Sequence, residues 1–152
     1  VDAALRAACP AAKAVDMARA QAAALRALGV RRVCLLTPYV EDVSAANQRM
    51  LEGCGVAVLR RLTMGFTRDE ETSAVAPASI EEWAAAVDCA SAEAVVIGCS
   101  AFRAAAAGFI DKVEARLGKP VVTSTQAFLW HMLRTAGVHD HVEGYGRLFT
   151  HF

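Results

Sequence analysis

Four short apolar runs punctuate the chain: RRVCLLT (31–37), VAVLRRLTM (56–64), AVVIG (94–98) and KPVVTS (119–124). Their length and their Gly, Pro and polar borders predict strands, while the longer stretches between them carry apolar residues at helical spacing. Helices are expected over 12–28, closed by Gly29, and over 40–52, ended by Gly53-Cys54-Gly55. Another is expected over 79–90, capped by Ser79 with Glu81 and Glu82 in its first turn. The last two span 106–117, closed by Gly118, and 125–137, ended by Gly137. Strands alternating with helices imply crossover connections, and so an α/β fold: a four-stranded parallel sheet flanked by helices. This single domain is expected to occupy residues 1–138, leaving 139–152 as a tail that docks on another surface.

Composition narrows the function classes. Apolar residues make up 55% and charged residues 21% of 152, which is a globular composition. Sixteen basic residues balance sixteen acidic ones, with no basic stripe, so nucleic acid is not expected as a partner. No apolar segment reaches bilayer length, and the opening VDAALRAACPAAK is not a secretion signal, so no membrane is expected either. Because residue 1 is not Met, it is not taken as the start of the gene product. The five cysteines (Cys9, Cys34, Cys54, Cys89, Cys99) form no CxxC pair and read as reduced thiols of a cytoplasmic protein. Cys34 and Cys89 read as small buried hydrophobes, and Cys54 as a turn residue. The four histidines show no HxxxH or HExxH spacing, so no metal is expected. GxGxxG and GxxxxGK[ST] are absent, and no nucleotide cofactor is expected.

Ligands of open parallel sheets bind beyond the carboxyl ends of the strands. Those ends are Thr37-Pro38-Tyr39, the loop 65–73, Gly98-Cys99-Ser100 and Thr123-Ser124. Cys99 sits at a corner between a strand and an expected helix start, where backbone N–H groups could favour a thiolate or an anionic ligand. It reads as a nucleophile or proton carrier, or else as a buried structural thiol. Tyr39 reads as a hydroxyl offered to a substrate carboxylate, or as an aromatic covering the sheet end. Asn47 could anchor the Tyr39 loop from its helix, and Arg103 could brace the corner or lie in solvent. Asp69, Glu70 and Glu71 would repel a dicarboxylate unless they point away.

Four motifs in register resemble the aspartate/glutamate racemase superfamily, nearest its maleate cis–trans isomerase and arylmalonate decarboxylase branches. They are ALRALGVRRVCLLTPYVEDVSAANQ (24–48), VVIGCSAFR (95–103), LGKPVVTSTQAFLWHMLRTAG (117–137) and GYGRLF (144–149). The resemblance implies a pseudo-symmetric fold of two similar halves and cofactor-independent chemistry at a substrate carbon. In it two cysteines face each other across a cleft. It assigns Cys99 the catalytic role of the second half's cysteine. Substrate binding would fall to Tyr39, Thr37, Asn47 and the backbone around Cys99, Ser100 and Ala101. An isomerase would add one thiolate to the alkene of maleate, a racemase would exchange protons at an α-carbon, and a decarboxylase would protonate an enediolate after loss of CO₂.

All four motifs belong to the second half of that pattern, and Cys9, in AACPAAK, matches no motif of the first. The leading expectation is therefore maleate isomerase-like chemistry on a small dicarboxylate, incomplete without the first half. Decarboxylase or racemase chemistry is the alternative. A non-catalytic chain that self-associates through an exposed apolar face is the alternative of another class.

Overall fold

A computed structural model describes residues 2–152. The four strands are β1 (Arg32–Thr37), β2 (Ala57–Thr63), β3 (Ala94–Ile97) and β4 (Val121–Thr123). All pair in parallel, in the order β2-β1-β3-β4. The chain winds from β1 outward to β2, then returns to place β3 on the other side of β1. That reversal leaves a crevice beyond the carboxyl ends of β1 and β3.

Eight helices accompany the strands among the described residues. They are α1 (Asp2–Ala8), α2 (Met17–Ala27), α3 (Glu41–Gly53), α4 (Asp69–Ser73), α5 (Pro77–Val87), α6 (Phe109–Leu117), α7 (Ser124–Thr135) and α8 (Arg147–His151). Strand side chains alternate between two apolar layers. Val33, Leu35, Val96 and Val122 join α2, α3 and α7 on one face, whereas Cys34, Leu36, Val95, Ile97 and Val121 join α5 and α6 on the other. Burial on both faces explains why β1 and β3 read as unbroken apolar runs. Removing a side chain such as Leu25, Leu35 or Ile97 from water contributes about 1.5–3 kcal/mol.

Several boundaries differ from expectation for local reasons. The first long helix begins at Met17 rather than at 12, because Asp16 caps it by accepting from the Arg19 N–H at 2.8 Å. Ser79 is not a cap: α5 starts earlier with Pro77 in its first turn, where the missing N–H costs nothing. The loop after β2 contains the short helix α4. No helix begins at residue 106, and α6 starts at Phe109 after Gly108, whose φ of 78° breaks any continuous turn. Residues 139–152 fold back onto the same domain, burying Leu148 and Phe149 in the α2–α7 layer. Gln126 Nε2 donates to the Tyr145 carbonyl at 2.6 Å, and Gly146 and Arg147 N–H donate to Asp111 and Glu114. No helix among the described residues is long and apolar enough to cross a membrane.

Glu93, just before β3, stitches the start of β1. Its carboxylate accepts from the Arg31 and Arg32 N–H groups at 2.7 and 3.0 Å and from the Arg32 guanidinium. These bonds, the Arg31 N–H first, hold the carboxyl below its ordinary range. A depressed carboxylate contributes stability that is present above its unfolded pKa and lost as pH falls through the lower folded value. Glu93→Gln is therefore expected to flatten the acid limb of a melting-temperature profile below about pH 4.3.

Candidate active site

The carboxyl ends of β1 and β3 bring Tyr39 and Cys99 together. The Tyr39 loop is held by the segment after β2, whose Met64, Gly65 and Phe66 N–H groups donate to the carbonyls of Thr37, Tyr39 and Pro38 at 3.1, 3.1 and 2.8 Å. The Cys99 corner is held by the Gly98 N–H, which donates to the Leu36 carbonyl at 2.8 Å. Both walls are thus tied to the sheet, which fixes the position of each side chain.

Cys99 is buried, and the Ala101 N–H donates to its sulfur at 3.2 Å. Burial pushes the half-buried Tyr39 phenol above its ordinary range, and the Cys99 side chain beside it and the Asp69 charge push the same way. Tyr39 therefore stays protonated as a donor at neutral pH. Phe66, Trp83 and Phe102 form an aromatic wall in the same apolar layer as Cys99, with ring centroids 6.5 and 6.3 Å apart along the row.

A cavity of about 370 Å³ lies next to this corner, lined by Tyr39, Asn47, Gly98, Ser100 and Ser124, with α2 and α3 behind. Of the residues expected to bind substrate, Tyr39, Asn47 and Ser100 face one space. Asn47 makes no hydrogen bond to the Tyr39 loop, so it does not anchor that loop. Its amide instead approaches Gly98. Ser100 is exposed. Thr37 is turned into the scaffold: fully buried, it donates to Ser44 Oγ at 2.8 Å, and Thr63 donates to the same oxygen. The backbone of the corner is only partly available. The Ala101 N–H serves the Cys99 sulfur and the Cys99 N–H donates to the Ile97 carbonyl, leaving that of Ser100.

The corner is not the start of a helix. Residues 100–108 are bends and turns, so Cys99 does not sit at a helix N-terminus, and the donor on its sulfur is the Ala101 N–H. Arg103 is exposed. Thr123 caps α7 through a capping box with Gln126, and Ser124 accepts from Gln21 Nε2 at 2.8 Å. The Gln21–Ser124 pair, which joins α2 to the rim, carries no local motif and is legible only in three dimensions.

Gly98 is a close-packing position. A Cβ there would stand 3.1 Å from Asn47 Nδ2 and 3.3 Å from Thr37 Cγ2. The Thr37 methyl cannot swing away without breaking the Ser44 hydrogen bond. Gly98→Ala is expected to cost about 1 kcal/mol and to weaken ligand binding, read as a lower melting temperature and a smaller ligand-induced shift.

The profile of the arylmalonate decarboxylase family matches residues 3–149. The chain belongs to the arylmalonate decarboxylase family. An arylmalonate decarboxylase of Bordetella bronchiseptica is 34% identical over 131 residues, covering 82% of this chain and 52% of the relative. The crystal structure of a double mutant of arylmalonate decarboxylase in liganded form superposes with a TM-score of 0.81 at 32% identity, over 88% of this chain and 57% of the other. A maleate isomerase of Pseudomonas putida S16, a cysteine-to-alanine mutant with maleate, gives a TM-score of 0.81 at 25% identity, over 88% and 53%. The chain spans about half the length of the curated relatives it matches. Both enzymes named within the resemblance are thus among its homologues, and the α/β architecture is the one they share.

Proposed function

We propose that Cys99 delivers a proton to a substrate carbon next to a carboxylate, in the decarboxylation of an arylmalonate. The observation that carries this reading is the single thiol beside Tyr39, with an aromatic wall in its own layer. The other four cysteines lie outside this corner: Cys9 and Cys54 are exposed on the surface, and Cys34 pairs with Cys89. The substrate's retained carboxylate would take the Tyr39 hydroxyl and the Ser100 N–H, and its aryl ring would lie along Phe66, Trp83 and Phe102. Breaking the bond to the other carboxylate releases CO₂ and leaves an enediolate. The Cys99 thiol protonates its carbon, and the thiolate regains a proton from water. No cofactor enters these steps.

Maleate isomerisation, the first expectation from sequence, is the second reading. The maleate bound in the Pseudomonas putida relative favours it, since addition of a thiolate to its alkene is chemistry that a cysteine can perform.

The two readings separate when the protein is given phenylmalonate or maleate in D₂O, with binding followed by calorimetry alongside turnover. The proposal expects phenylmalonate to bind and phenylacetate to form with one carbon-bound deuterium at the α-position. Fumarate formation with no CO₂ from phenylmalonate favours the isomerase. A protein that neither binds nor converts phenylmalonate contradicts the proposal.

A further inference from the structure

Cys34 and Cys89 lie away from the Cys99 corner and take no part in the chemistry above. Cys34 is the third residue of β1 and fully buried, while Cys89 is half-buried in the loop that leads from α5 to β3. Read from sequence as two independent buried residues, they meet in the fold with their sulfurs 3.5 Å apart. We propose that this pair is a peroxide-responsive site, a dithiol that hydrogen peroxide converts to an intrachain disulfide.

The surroundings divide the work between the two thiols. The Ser91 hydroxyl lies 3.5 Å from the Cys89 sulfur. Together with Cys34 and the local backbone N–H groups, it holds that thiol below its ordinary range. Burial pushes the Cys34 thiol up to about 11. The accessible, more acidic Cys89 is thus the attacking thiolate and the buried Cys34 the resolving thiol. Lys119 keeps the loop in reach: its Nζ donates to the Asp88 carboxylate at 2.9 Å and to the Cys89 and Ala92 carbonyls at 3.0 Å each. Cys9 and Cys54, though exposed, have no partner sulfur among the described residues.

The chemistry balances with peroxide as the only co-reactant. The Cys89 thiolate attacks one peroxide oxygen, the O–O bond breaks, and hydroxide leaves a sulfenic acid. The Cys34 sulfur then attacks the Cys89 sulfur, the S–S bond forms, and the S–OH oxygen departs as water with the Cys34 proton. Two thiols lose two electrons in all, and one peroxide becomes two waters. Such a bridge would close a loop between positions 55 apart and tie the approach to β3 onto β1. A pair that oxidises and is reduced again suits a reducing compartment better than a permanent bridge does.

The test treats the folded, reduced protein with a small excess of hydrogen peroxide, alkylates remaining thiols and maps peptides by mass spectrometry. A 34–89 cross-linked peptide that dithiothreitol reverses is expected, together with a melting temperature several degrees higher than that of the reduced protein. Cys89→Ser, a conservative change in a half-buried loop position, is expected to abolish both. Oxidation of Cys89 to sulfinic acid without a cross-link, or a 34–89 bridge that forms only after unfolding, overturns the proposal. So does a bridged protein that melts no higher than the reduced one, or a peroxide-dependent rise that survives in Cys89→Ser.

Discussion

Cys99→Ser is expected to lower turnover of an arylmalonate by about 10²–10⁴-fold, the range carried by a positioned proton donor. The hydroxyl fits the space of the thiol but is a far weaker acid, so it cannot protonate an enediolate at a comparable rate. Folding should change little, because the Ala101 N–H can donate to a serine oxygen as it does to the sulfur. A melting temperature within a few degrees of the parent, with binding of phenylmalonate kept, separates this loss from misfolding. Undiminished turnover would remove Cys99 from the mechanism.

The largest effect on stability is expected at Gly146. Its φ of 78° with ψ of 179° lies in a region that residues with a side chain scarcely enter. A Cβ at this position would stand 2.6 Å from Ile110 Cγ2 and 3.0 Å from Glu114 Oε1. Neither neighbour is free to yield. Ile110 is fully buried, and Glu114 is held by the Val121 and Arg147 N–H groups at 2.9 Å each. Gly146→Ala is expected to cost about 2–4 kcal/mol and to detach α8 from the α2–α7 layer. Trp130 reports the detachment, since its indole N–H donates to the Phe152 carbonyl at 3.0 Å, and its fluorescence should shift towards that of a solvated ring. An unchanged emission and melting temperature would mean that the turn at 144–147 relaxes without cost.

The sheet was legible because β1 and β3 are buried on both faces and so leave unbroken apolar runs. The parallel topology followed from the alternation of those runs with helical spacing. Cys99 was legible as a corner residue because a strand must end where Gly98 meets a short polar turn. The corner itself starts no helix, and the helix expected from 106 begins only at Phe109. The Ala-rich stretch 104–107 has high helix propensity, yet the positive φ of Gly108 and the bond from the Gly108 N–H to the Gly144 carbonyl hold it as turns. That partner lies far along the chain, beyond any periodicity. The same reason hid the Cys34–Cys89 contact and the Gln21–Ser124 bond. Thr37 looked available because it ends a strand, but α3 brings Ser44 beneath it and takes its hydroxyl. The tail expected to dock on another surface buries Leu148 and Phe149 in a layer of its own domain, a placement that depends on residues far along the chain.

We propose Cys99 as the working thiol of a carboxylate site shared with Tyr39. The most direct measurement is the rate of alkylation of each cysteine by iodoacetamide, resolved by peptide mass spectrometry, with and without phenylmalonate. Cys99 is expected to react despite its burial, faster than Cys34, with phenylmalonate slowing it and leaving Cys54 unchanged. Equal labelling of Cys99 with and without phenylmalonate, or a Cys99 no more reactive than Cys34, would contradict it.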